Sequence, residues 1–159
     1  MDYLWTPWRY TYISGEAKVS TCIFCDLQQA ADDRAVFILL RARDNYVVLN
    51  KYPFTNGHIM IVPYGHIDEL RKLPAEVAGE MMSLAQRLED AIRRVYAPEG
   101  INVGMNLGRA AGAGVAGHVH LHVLPRWCGD ANFITTVAET RALPETLERT
   151  YERLSAALA

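Results

Sequence analysis

Lysine is scarce in this sequence of 159 residues: Lys18, Lys51 and Lys72 are all there are, and the other thirteen basic residues are arginines. There is no basic excess either, since 16 basic residues face 18 acidic ones for a formal net charge of −2. That excludes the simplest general nucleic-acid binder, whose phosphate contacts need a positive surplus. No apolar run approaches the roughly 18 residues of a membrane helix. The start Met1-Asp2-Tyr3-Leu4-Trp5 lacks the basic and apolar regions of a signal peptide. Cysteine is limited to Cys22, Cys25 and Cys128, an odd and small set unlike a secreted disulfide scaffold. These absences lead to the expectation of a cytoplasmic domain with neither membrane nor nucleic acid as partner. Repeats, low-complexity tracts and linkers are also missing, so residues 1–159 read as one domain. With 50% hydrophobic and 21% charged residues, the composition is that of a globular chain able to build a core without disulfides or metals.

Patterning along the chain suggests an α+β architecture. Residues 1–35 hold Trp5, Trp8 and Cys22-Ile23-Phe24-Cys25 and read as an irregular N-terminal segment. Residues 36–40 and 45–50 form a strand pair, residues 51–57 a turn rich in breakers, and residues 58–62 a third strand stopped by Pro63. After Pro74 the apolar positions Val77, Met81, Leu84, Leu88, Ile92 and Val95 repeat every three or four residues, which predicts one long amphipathic helix ended at Pro98 and Gly100. Residues 101–107 and 118–124 read as strands joined by a glycine-rich loop. Leu147, Tyr151, Leu154 and Leu158 predict a C-terminal helix over 143–158. Strands with segregated helices imply an antiparallel sheet of about five strands.

The strongest chemical signal is Gly117-His118-Val119-His120-Leu121-His122-Val123-Leu124-Pro125. In an extended strand alternate side chains share a face, so His118, His120 and His122 point one way and Val119, Leu121 and Val123 point into the core. Three of five histidines on one face imply catalysis or metal binding. A site in which all three bind one ion is awkward, because neighbours at i and i+2 lie about 6.6 to 6.8 Å apart along the strand. The preceding loop offers Arg109 and many glycine N–H groups to an oxyanion. Gly112, Gly114 and Gly117 spell a dinucleotide-type G-x-G-x-x-G, but that fingerprint must open a helix, and here it leads into a strand. Cys22-x-x-Cys25 alone is half a metal site or a redox pair.

Taken together, the three-histidine strand, Leu4-Trp5-Thr6-Pro7-Trp8-Arg9, Leu49-Asn50-Lys51-Tyr52-Pro53, Asn56-Gly57-His58, Ile61-Val62-Pro63-Tyr64, Asn102-Val103-Gly104-Met105-Asn106-Leu107-Gly108 and the stretch from Val123 to Phe133 resemble the histidine triad (HIT) family, in a bacterial branch that includes diadenosine tetraphosphate phosphorylases and hydrolases. The resemblance implies a HIT-like fold and an enzyme that cleaves dinucleoside polyphosphates next to the α-phosphate through a nucleotidyl-histidine intermediate, with phosphorolysis favoured over hydrolysis. A hydrolase releasing AMP from diadenosine tetraphosphate or nucleoside phosphoramidates, and a non-catalytic nucleotide-binding module, are its rivals. The resemblance makes His120 the nucleophile and places His122 and His58 at the phosphate. It gives Asn50 to the ribose, Asn106 to the scissile phosphate and Ile23, Phe24 and Leu27 to a wall against the base. Leaving-group charge falls to loop amides, Gly112 and Gly114 among them. Gly114 and Val115 stand where many HIT enzymes carry a hydroxyl or amide side chain, and the loop is one residue longer than in the hydrolases. Some HIT proteins bind zinc through a cysteine pair and two histidines, which here match Cys22, Cys25, His66 and His118, implying a structural Zn2+. The expected partners are an adenine nucleotide, inorganic phosphate as acceptor and a second copy in a homodimer.

Overall fold

A computed structural model describes residues 22–138 and 143–159. Its centre is a five-stranded, wholly antiparallel sheet in the order β1-β2-β3-β5-β4, from Ile38–Arg41 (β1), Asn45–Leu49 (β2), Ile59–Pro63 (β3), Gly100–Gly104 (β4) and Leu121–Arg126 (β5). Around it lie helices α1 (Ile23–Leu27), α2 (Ala75–Tyr96), α3 (Phe133–Ala138) and α4 (Leu147–Leu158). The α+β class and the strand number follow the sequence expectation. Among the described residues no helix is long and apolar enough to cross a membrane.

Period-two alternation divides the core in two. Val47 and Leu49 of β2, Ile59 and Ile61 of β3, and Leu121 and Val123 of β5 pack beneath Met81, Leu84, Leu88 and Ile92 of α2 and Leu154 and Leu158 of α4. Tyr46, Val48, Met60 and Val62 face the other way, against Phe24 of α1. Both faces of β2 and β3 are therefore covered, which is why they read as continuous apolar runs. Pro74 stands at the N-terminus of α2. Ala97 closes it in the left-handed region at φ 44°, returning its N–H to the Arg93 carbonyl at 3.0 Å. Asn45, fully buried, donates from Nδ2 to Glu80 at 2.8 Å and to the Val77 carbonyl at 3.2 Å, fastening β2 to α2.

Several boundaries differ from expectation. Residues 22–35 are not wholly irregular: α1 spans Ile23–Leu27, too short for a periodic signal. Residues 1–21, with Trp5 and Trp8, lie outside the described residues. β1 begins at Ile38 because Phe37 adopts φ 60°, a left-handed turn that breaks the run from residue 36. The C-terminal helix begins at Leu147 rather than 143, since Thr146 caps it by accepting the Arg149 N–H at 3.3 Å. α3 was not expected at all.

Candidate active site and metal cluster

His122 is paired across β3 with Met60 and across β4 with Gly104. Leu121 and Val123 enter the core beneath α2, so His122 emerges on the opposite face, the one covered by α1. The ladder starts at Leu121, three residues later than expected. Pro63 has no N–H to continue it, and its carbonyl accepts from His118 Nε2 at 2.9 Å, while the Val119 N–H turns to the Ile67 carbonyl at 2.7 Å. β4 accordingly ends at Gly104 rather than at residue 107. Alternation persists through the irregular segment: Val119 is buried with Leu121 and Val123, and the three histidine rings gather outside.

Hydrogen bonds fix where each ring keeps its proton. The Phe54 N–H donates to His58 Nδ1 at 3.1 Å. Asn50, whose Oδ1 accepts the Tyr52 N–H at 2.9 Å, aims Nδ2 at the same ring nitrogen at 3.2 Å. His58 Nδ1 is thus an acceptor, and Nε2 carries the proton. Nε2 donates it to His122 Nδ1 at 2.8 Å, which leaves the His122 proton on Nε2. That nitrogen is buried and has no hydrogen-bond partner. His120 shows the reverse arrangement: Nδ1 donates to the His118 carbonyl at 2.9 Å, so Nε2 holds a free lone pair.

Electrostatics agree with four neutral rings. Burial, followed by the neighbouring His122 and His120, pushes His58 down to about 3. Burial and then His120 push His122 down to about 4. His120 is lowered by burial against the opposing pull of the His118 carbonyl. His118 is lowered chiefly by burial, with the Pro63 carbonyl opposing.

Aromatic rings enclose the group. Phe24 lies 4.9 Å from His120 and 5.5 Å from His118 between ring centroids. The Tyr46 hydroxyl, donating to the Phe24 carbonyl at 2.8 Å, ties α1 to the sheet here. Leu27 is half-buried in the same cluster, whereas Ile23 is exposed. Phe54 covers the other end, 4.7 Å from His58 and 5.9 Å from His122. Nothing in sequence patterning singled out Phe54, which lies in an irregular turn, or the Pro63 carbonyl, which acts through the backbone. Asn106 is half-buried after β4, and Gly112 (φ 89°) and Gly114 are exposed in the loop. Among the described residues these three make no hydrogen bond to the histidines.

Beside the histidines, Cys22, Cys25, His66 and His118 bring one ligand atom each to within 4.8 Å of one another. Cys22 Sγ is 3.4 Å and Cys25 Sγ 3.7 Å from His118 Nδ1, and Cys25 Sγ is 3.3 Å from His66 Nδ1. A tetrahedral zinc with ligands at about 2.3 Å for sulfur and 2.0 to 2.1 Å for nitrogen has S···N edges of about 3.5 Å, close to these three separations, so the donor set suits a zinc ion. His118 Nε2, held by Pro63, leaves Nδ1 unprotonated toward the thiols. The three triad rings address three different partners, so they do not share one ion.

A family model for the HIT domain matches residues 33–128. The chain belongs to the HIT family. An AP-4-A phosphorylase of Mycobacterium tuberculosis is 38% identical over 164 residues, covering 98% of this chain and 83% of the relative. An adenosine 5'-monophosphoramidase of Candida albicans is 27% identical over 114 residues, covering 69% of this chain and 73% of the relative. Among solved HIT structures, a zinc-bound histidine triad protein from Mycobacterium smegmatis superposes with a TM-score of 0.70 at 31% identity, over 87% of this chain and 93% of that one.

Proposed function

We propose that the protein is an enzyme cleaving dinucleoside polyphosphates such as diadenosine tetraphosphate at the α-phosphate, with inorganic phosphate as acceptor. The observation that carries this reading is His120, a neutral buried imidazole whose proton is held on Nδ1 and whose Nε2 lone pair is free. In the first step His120 Nε2 bonds to the α-phosphorus, and the bond from phosphorus to the bridging oxygen breaks. The electron pair leaves on that oxygen, which departs as a polyphosphate anion while accepting a hydrogen bond from the His122 Nε2–H. His58 supplies the Nε2–H that steadies the other side of the His122 ring. In the second step a phosphate oxygen attacks the same phosphorus, the P–N bond breaks, and a nucleoside diphosphate leaves. The 38% identity to a phosphorylase favours phosphate over water in that step.

The remaining residues take supporting roles. Asn50 keeps His58 in its tautomer, and the second N–H and lone pair of its amide serve the ribose. Phe24, beside His120, forms the base wall with Ile23 and Leu27. Asn106 and the Gly112 and Gly114 amides meet phosphate oxygens. Cys22, Cys25, His66 and His118 would hold zinc as a closed structural site, which supplies a cross-link and no reactive position. The chain works as a cytoplasmic homodimer, joined along the free edge of β4, where Val103 is exposed.

Product analysis with diadenosine tetraphosphate tests the assignment. ADP plus ATP, formed only when phosphate is added, is the expected result. AMP plus ATP without phosphate makes the protein a hydrolase, and no cleavage under either condition removes the reading.

A further inference from the structure

The site described so far has almost no positive charge to offer a polyphosphate. His58 and His122 each accept a hydrogen bond at Nδ1 and are neutral. A divalent ion on two thiolates and two imidazoles adds no net charge. Yet a polyphosphate chain brings several negative charges next to buried apolar walls, where uncompensated charge is costly.

Two cations among the described residues, Lys51 and Arg109, have neither a carboxylate partner within ion-pair distance nor a hydrogen bond from the side chain. Every other described lysine or arginine has a carboxylate partner, apart from Arg87, which donates to the Leu158 carbonyl. Their positions are as informative as their isolation. Lys51 follows Asn50, whose backbone N–H donates to the His58 carbonyl at 3.0 Å and whose amide touches the His58 ring. Arg109 opens the 3-10 turn of the loop that leaves β4 at Gly104, opposite His122, and returns at His118. By the ladder register the Lys51 turn lies on the β3 side toward the C-terminal end of β5 and the Arg109 loop on the β4 side at its N-terminal end, so the two segments bracket the histidines from opposite ends. In a chain with only three lysines, one stands unpaired beside the catalytic histidines.

We propose that Lys51 and Arg109 are the specificity-determining pair that binds the phosphates beyond the α-phosphate, so that this site selects its substrates by phosphate-chain length. This rests on the proposed function in taking the α-phosphate to lie at His120. The lysine ammonium acts as a point charge and the arginine as a planar fork, a combination suited to a flexible oligoanion. Both sit on exposed loop positions, so they gain full ionic contact only with a ligand in place.

Titration calorimetry of the full chain with AMP and with ATP at low salt tests the pair without requiring turnover. Wild type binds ATP about 10 to 100-fold more tightly than AMP, the range expected for charge-assisted hydrogen bonds. That preference shrinks as salt is raised. Lys51→Ala and Arg109→Ala each reduce it, the double variant abolishes it, and Lys51→Arg retains most of it, with melting temperatures unchanged. No ATP preference in wild type, or a preference intact in the double variant, overturns the proposal. A clear preference in a protein that fails to cleave diadenosine tetraphosphate upholds the pair while removing the assigned reaction.

Discussion

At His120 the 2.9 Å bond from Nδ1 to the His118 carbonyl decides which nitrogen keeps a free lone pair, while the bonds around His58 decide which nitrogen of His122 is a donor. Both assignments depend on rings that are buried and neutral, and this has a pH signature. The folded His58 titrates at about 3 and His122 at about 4, against an ordinary value of 6.5. Between those limits the unfolded chain binds more protons than the folded one, so stability rises with pH and is lost as pH falls from 6.5 toward 4. The melting temperature should drop across that window, and His58→Gln should flatten the slope. An unchanged slope would mean that His58 is not held neutral by the fold.

At the level of elements, the turn before β3 sets the histidine pair in place. Gly57 has φ 74°, and a Cβ there would lie 3.0 Å from Tyr96 Cε2 and 3.2 Å from Pro125 Cγ. Gly57→Ala should therefore destabilise by about 1 to 3 kcal/mol, through backbone strain and overpacking. Because His58 is the next residue, turnover should fall with it, which melting curves and kcat measure together. Patterning found this turn, the α2 stripe and the alternation of the triad strand, because each is written in periodicity or in breakers over several residues. The start of the triad strand, α1 and α3 were beyond it. What ends the ladder before His118 is a missing proline N–H on another strand, and α1 is held by a tyrosine hydroxyl from β2, both contacts distant in sequence. The meeting of Cys22, Cys25, His66 and His118 was legible through resemblance rather than through spacing, since Cys22 and His118 are 96 residues apart.

For the whole molecule, the Cys/His cluster fastens α1 to both β3's outgoing segment and the segment entering β5. Stripping bound metal should lower the melting temperature by about 5 °C or more, and raise KM before kcat as Phe24 moves off His120. Elemental analysis and thermal melts with and without chelator check this, and a metal-free preparation with an unchanged melt after Cys22→Ser would reduce the cluster to ordinary thiols. The catalytic account itself turns on one covalent bond. Mass spectrometry of the protein mixed with diadenosine tetraphosphate without phosphate, then quenched in alkali, should find an adenylyl group on His120 that disappears when phosphate is added and never forms in His120→Ala. Turnover without that adduct, or undiminished turnover by His120→Ala, would contradict a nucleotidyl-histidine enzyme.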